Sequence, residues 1–242
     1  MKQGLFEIIE NTRLTDTVWR MRLRGDTSAV TGPGQFVNFQ LDGLFLRRPI
    51  SVCDCEGDVL TIVYKVVGKG TEQMSRMTEG TLDVLTGLGN GYDLSKSGDR
   101  PVLLGGGAGV PPMYMLCRLL IEEGKKPSVI LGFNTKDEVF FEEEFKTLGA
   151  DVTVTTADGS FGLKGFVTDA MKEMDYTYFY TCGPEPMLKA IDKTAVTSGQ
   201  LSFEERMGCG FGACMGCSCK TKYGNKCICK DGPVLEREEI IW

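Results

Sequence analysis

The chain has 242 residues, 42% of them hydrophobic and 25% charged, with a formal net charge of −6 and no histidine. That length and balance suit one or two globular domains, and the acidic excess argues against nucleic acid or an anionic membrane as the main partner. Without histidine the commonest general base and metal ligand are both absent, so any metal must be held by sulfur or carboxylate.

The opening residues, Met1 to Asp16, contain no apolar core and no cleavage site, so no signal peptide is expected. No apolar run approaches the roughly 18 residues of a membrane span. A cytoplasmic chain is therefore expected. Up to about Asp99, apolar and polar residues alternate, as in Leu5–Ile9, Val18–Leu23, Phe36–Leu41 and Leu60–Val66. Turn signals such as Gly32-Pro33-Gly34 separate these runs, and one helix is predicted over Thr71–Met77. Short strands with few helices predict an antiparallel β-barrel over residues 1–98.

From Pro101 the pattern becomes strand, helix, strand. Val102–Leu104, Ser128–Leu131, Val152–Thr155 and Tyr178–Thr181 read as buried strands. A stripe from Val110 to Ile121 reads as a helix, as do Asp137–Phe145, Gly165–Met174 and Pro184–Ala195. This alternation predicts a parallel α/β domain over residues 99–203. The whole is a mixed fold, α+β then α/β. Residues 204–242 are too rich in glycine and cysteine to build a core, and their order is expected to come from what the cysteines bind.

Six of the ten cysteines lie between Cys209 and Cys229. In a chain that is not exported, such a cluster reads as metal binding rather than disulfides. Cys209, Cys214 and Cys217 are spaced C-x4-C-x2-C, the plant-type [2Fe–2S] arrangement. Zinc sites usually pair C-x2-C units, and only Cys214 and Cys217 form one. Three thiolates converging from one loop need a tightly curled backbone, and Gly208, Gly210, Gly212 and Gly216 are expected to supply positive φ. The fourth ligand is open among Cys219, Cys227 and Cys229.

Two further motifs follow candidate strands. Gly105, Gly106, Gly107 and Gly109 lie in a loop that opens a helix, where backbone can approach a pyrophosphate. It is not the usual GxGxxG pattern. Cys182-Gly183-Pro184 ends a second strand, at the sheet edge where ligands bind in open α/β folds. In the barrel, Arg47-Arg48-Pro49-Ile50-Ser51 places an arginine fork, suited to phosphate, beside an apolar strand.

These elements in this order resemble the ferredoxin–NADP reductase-like flavoproteins. Arg48-Pro49-Ile50-Ser51 is similar to that superfamily's R-x-Y-[ST] motif, with Ile50 in place of its aromatic residue. The stretch from Glu205 to Thr221, followed by Cys229-Lys-Asp-Gly-Pro-Val234, resembles the electron-transfer subunit of NAD-linked (type B) dihydroorotate dehydrogenase. That resemblance implies Cys229 as the fourth ligand. It implies an FAD-binding barrel, with Arg48 on the FAD pyrophosphate and Ser51 near the reactive flavin nitrogen. Pro49, Ile50, Val63, Tyr64, Lys65, Gly70 and Thr71 are the other FAD contacts it implies. The glycine loop and Cys182–Pro184 would frame NAD, with Cys182 beside the nicotinamide. Lys136 beside Asp137 and Glu138 favours NAD over NADP. The implied partner is an FMN-containing dihydroorotate-oxidising subunit, in an assembly of two copies of each chain. Electrons would pass from that FMN through the cluster and FAD to NAD⁺, in pyrimidine biosynthesis. The alternatives are the small subunit of a ferredoxin-dependent NADP transhydrogenase or sulfide dehydrogenase, and a cysteine-rich scaffold without turnover.

Overall fold

The structure, a computed structural model, describes residues 1–242. Six strands close the expected barrel: β1 Lys2–Arg13, β2 Val18–Arg24, β3 Phe36–Gln40, β4 Arg48–Glu56, β5 Val59–Lys65 and, after helix α1 (Lys69–Ser75), β6 Thr81–Leu88. Their order is β1-β2-β5-β4-β3-β6, with β6 returning to β1, and all pairs are antiparallel. Alternation fills the interior. Met21 and Leu23, Val37 and Phe39, and Leu60 and Ile62 all point inward and are fully buried. Met74 of α1 closes one end of this core.

The second layer is a seven-stranded sheet. Its elements are β7 Pro101–Gly106, α2 Pro112–Glu122, β8 Ser128–Phe133, α3 Glu142–Leu148, β9 Asp151–Thr156, β10 Leu163–Lys164, α4 Val167–Met171, β11 Tyr178–Cys182, α5 Glu185–Thr194 and β12 Gly199–Ser202. A hairpin of β13 (Ser218–Thr221) and β14 (Gly224–Cys227) follows, then α6 Ile228–Asp231 and β15 Val234–Glu236. The sheet order is β10-β9-β8-β7-β11-β12-β15, parallel except for β15. Strand order reverses between β7 and β11, so the carboxyl ends of these two strands form the crevice where ligands bind in such sheets.

Barrel and sheet share one core. Val18, Cys53 and Val63 of the barrel pack with Leu103, Val110 and Met113. At its margin Arg118 of α2 donates to Asp54 of β4 from Nη2 at 2.7 Å and from Nε at 3.2 Å. A two-pronged pair with both side chains mostly buried resists hinging between the layers.

Three expectations need correction. The cysteine-rich tail does build a core: Cys217, Cys227, Ile228, Cys229, Leu235 and Ile240 are buried in one cluster with Phe36 and Leu201. Thiols pack as small hydrophobes, and β15 hydrogen-bonds to β12, so the tail is stitched to the sheet. Asn90 adds to this, accepting from Val234 N at 3.1 Å and donating to its carbonyl at 2.8 Å. The helix expected over Asp137–Phe145 is displaced to Glu142–Leu148. Phe140 and Phe141 turn into an aromatic cluster, and Phe141 adopts φ 68°, which no helix allows. The helix expected over Gly165–Met174 is only Val167–Met171, since Gly165 has φ 131°.

Candidate functional site

Two sites lie near one another. The first is the cysteine loop. Backbone N–H groups converge on its sulfurs: Phe211, Ala213 and Cys214 donate to Cys209 Sγ at 3.5, 3.2 and 3.4 Å. Gly212 donates to Cys229 Sγ at 3.1 Å, and Cys229 N to Cys217 Sγ at 3.4 Å. Only Gly210 (φ 78°) and Gly212 (φ 91°) use positive φ. Gly208 and Gly216 do not; a Cβ at Gly208 would lie tight against Cys214 Sγ at 3.3 Å, and one at Gly216 would make ordinary contact with it at 3.5 Å. Met215 instead takes φ 58°.

By burial the four cysteines fall into a more exposed pair, Cys209 and Cys214, and a buried pair, Cys217 and Cys229. Nowhere do three Cys, Asp or Glu side chains surround one point. The C-x4-C-x2-C spacing is that of a [2Fe–2S] loop and not that of a zinc site built on two C-x2-C units. The inner pair is 2% exposed at each cysteine, whereas Cys214 lies open to solvent. Burial pushes the Cys209 thiol up, but the backbone donors and Cys214 outweigh it and bring it down to about 6. Burial and then the Cys217 thiol push Cys229 up to about 12. Cys227 stands apart, its thiol turned to Met215 Sδ at 3.0 Å, and Cys219 lines the neighbouring cavity.

That cavity is the second site. It holds 840 Å³ between Arg48 and Pro49 of the barrel and Gly183 and Pro184 of the sheet, with Phe203 and Trp242 on its wall. The volume lies in the range of cofactor sites. The two arginines differ. Arg47 is ion-paired with Asp83 at 2.8 Å, close but not aligned as a hydrogen bond. Arg48 has no acidic partner, touching only the Leu46 carbonyl, and its side chain lies against Gly70, where a Cβ would fall 2.4 Å from Nε. A free guanidinium on a cavity wall fits a phosphate. Ile50 packs on the margin of the barrel core.

Other expected contacts are turned elsewhere. Tyr64 lies in the barrel core, 3% exposed, its hydroxyl donating to Asn11 at 3.1 Å. Val63 belongs to the core between the layers, and Lys65 faces Glu138 at 3.9 Å. The Thr71 hydroxyl closes its own turn, accepting from Val67 N at 3.0 Å.

At the crevice, Gly109 abuts Cys182: a Cβ there would fall 2.1 Å from the Cys182 carbonyl oxygen. Gly106 is pressed equally closely on Met187. The glycine loop and the Cys182–Pro184 turn therefore form one surface, held by Thr181 Oγ1 donating to the Leu104 carbonyl at 2.9 Å.

Residues 204–241 match the iron–sulfur cluster binding domain of dihydroorotate dehydrogenase B, and residues 103–193 the oxidoreductase NAD-binding domain. The chain is 43% identical to the electron transfer subunit of dihydroorotate dehydrogenase B (NAD(+)) of Fusobacterium nucleatum, over 96% of this chain and 95% of that one. The chain belongs to this electron-transfer subunit family. The Bacillus pumilus family member is 41% identical, over 99% and 98% of the two chains. Among solved structures, one of the NADH-dependent reduced ferredoxin–NADP oxidoreductase superposes with TM-score 0.90 and 31% identity, over 99% of this chain and 90% of that one. A ferredoxin NADP⁺ reductase from Neisseria gonorrhoeae shares the fold, with TM-score 0.69 and 19% identity over 80% and 90%.

The sequence reading missed Phe203 and Trp242 on the cavity wall. Only their side chains meeting, with ring centroids 5.6 Å apart, reveals them. For Cys182, burial holds the thiol up at about 12 while the Ser202 hydroxyl pulls weakly the other way. A raised thiol pKa keeps the neutral S–H form far above neutrality. Cys182 should therefore resist alkylation at about pH 8, where an ordinary thiol reacts readily. Iodoacetamide labelling followed by mass spectrometry checks this; labelling of Cys182 at the rate of a free thiol refutes it.

Proposed function

We propose that this family member carries electrons from the FMN of a dihydroorotate-oxidising partner to NAD⁺, in the route to pyrimidine nucleotides (UMP). The observation that carries the reading is the convergence of backbone N–H groups on the sulfurs of Cys209, Cys217 and Cys229, beside a cavity lined by an arginine with no acidic partner. FAD, a [2Fe–2S] cluster and NAD are its cofactors. The cluster supplies single-electron transfer and the flavin two-electron hydride chemistry. The protein positions and tunes. Cys209, Cys214, Cys217 and Cys229 would hold the cluster. The N–H groups aimed at their sulfurs stabilise thiolate charge. Arg48 would neutralise the FAD pyrophosphate, and Pro49, Ile50 and Ser51 line up along the same strand. Gly105–Gly109 and Cys182–Pro184 would receive NAD in the crevice. No residue here needs to act as a general base, which fits a chain without histidine.

No helix is long and apolar enough to cross a membrane. The partner would cover the exposed side of the cysteine loop, where Phe211 is 46% and Met215 58% exposed. By family likeness the assembly would hold two copies of each chain. Purified alone, the protein should oxidise NADH with artificial acceptors and ignore dihydroorotate; co-expressed with the oxidising subunit, it should reduce NAD⁺ from dihydroorotate. Phe211→Glu should abolish co-purification while iron and FAD content stay at wild-type values. Loss of cofactor in that variant would place Phe211 in the chain's own packing instead. The likeness to the reduced ferredoxin–NADP oxidoreductase favours a second reading, an NADP-linked transhydrogenase subunit. Co-purification with a ferredoxin-dependent NADP-reducing flavoprotein, and never with a dihydroorotate oxidase, would select it.

A further inference from the structure

Strand β3 touches the cysteine loop and pairs with β4, which carries Arg48 and Pro49 of the cavity wall. Its Val37 and Phe39 enter the barrel core, so Phe36 and Asn38 lie on the opposite face. Phe36 packs in the same cluster as Cys217, Cys227 and Cys229. Asn38 is 1% exposed and donates from Nδ2 to the Cys209 carbonyl at 3.3 Å, across 171 residues of sequence. The loop is pressed onto this amide, for a Cβ at Gly210 would fall 2.4 Å from Nδ2. On the other side, Asn38 is the register partner of Pro49 on β4, and Phe36 that of Ser51. Directly opposed residues of antiparallel strands share a face, with Cβ atoms about 4.5–5.5 Å apart. The residues that touch the cysteine loop are thus cross-strand neighbours of the flavin motif.

We propose that Asn38 is a positioning residue that ties the cluster loop to the flavin-bearing strand and fixes the placement of Cys209. Its own carbonyl accepts from Arg47 Nη1 at 3.2 Å, so backbone and side chain are both anchored. The register shift in the β3–β6 pairing falls between Phe36 and Asn38, and such irregularities re-aim side chains. Asn38 Oδ1 is buried without a partner. For packing alone an apolar side chain of similar shape would serve better. The amide is retained, on this reading, for its hold on the Cys209 peptide, from which the N–H donors to Cys209 Sγ follow.

The inference rests on the cluster and flavin assignments above. The test uses the full chain purified anaerobically, with Asn38→Leu and Asn38→Ala. Both variants should keep wild-type FAD content. Both should show a shifted electron paramagnetic resonance spectrum of the dithionite-reduced cluster. Both should lose the cluster in air roughly tenfold faster, the factor that one hydrogen bond supplies. Asn38→Leu, relieved of an unpartnered acceptor, should unfold no earlier than wild type. Wild-type spectra and cluster lifetime in the two variants would overturn the inference and leave the assignments standing. Should Asn38→Leu misfold, the smaller Asn38→Ala decides by the same spectrum. A wild-type chain without iron would overturn the cluster assignment, and the inference with it.

Discussion

Serine at Cys209, Cys214, Cys217 or Cys229 is expected to leave the protein without its cluster, while Cys227→Ser keeps it. Backbone N–H groups converge on the sulfurs of Cys209, Cys217 and Cys229, Cys214 lies in the same loop, and losing any one of the four leaves the cluster a ligand short. Thiolate is the ligand iron–sulfur clusters require, and a serine hydroxyl is not its equivalent. Cys227 is buried, but its thiol faces Met215 and Ser218 rather than the pairs. Iron and acid-labile sulfide analysis of anaerobically purified protein checks this. The wild type and Cys227→Ser should each hold about two irons and two sulfides per chain, the content of the cluster type. Zinc in the wild type, or cluster loss in Cys227→Ser with retention in Cys229→Ser, refutes the ligand set.

Arg48→Ala should release FAD. The guanidinium lines the cavity and has no carboxylate to satisfy it, so its charge is available to an anion. A charge-assisted hydrogen bond contributes about 1.5–3 kcal/mol, or roughly 10- to 150-fold in affinity. Arg47 is the contrasting case, since its ion pair with Asp83 already occupies it. Titration of apoprotein with FAD measures the difference. If Arg48→Ala binds FAD as tightly as wild type, Arg48 is only a charge at a strand end.

The barrel and the parallel sheet were legible because period-two and strand–helix patterns report burial directly. Loop-borne chemistry was legible where spacing has a cause, as in Cys209-x4-Cys214-x2-Cys217. The failures have a common source in contacts between residues distant in sequence. Phe141 breaks its helix because Tyr114 and Phe145 offer it an aromatic pocket. The tail builds a core because β12 and Phe36 await it. Asn38 reads locally as one polar residue between Val37 and Phe39, and nothing nearby announces a bond to Cys209. Gly208 matters through the space beside the Cys214 sulfur, which composition cannot distinguish from a backbone twist.

The unequal burial of the two thiol pairs carries a consequence for damage. Cys217 and Cys229 are sealed in the protein interior, while Cys214 stands at the surface. An oxidant arriving from solvent therefore reaches Cys214 before Cys217 or Cys229. The strand from Val234 to Glu236 meanwhile keeps the segment that follows Cys229 bound to the sheet.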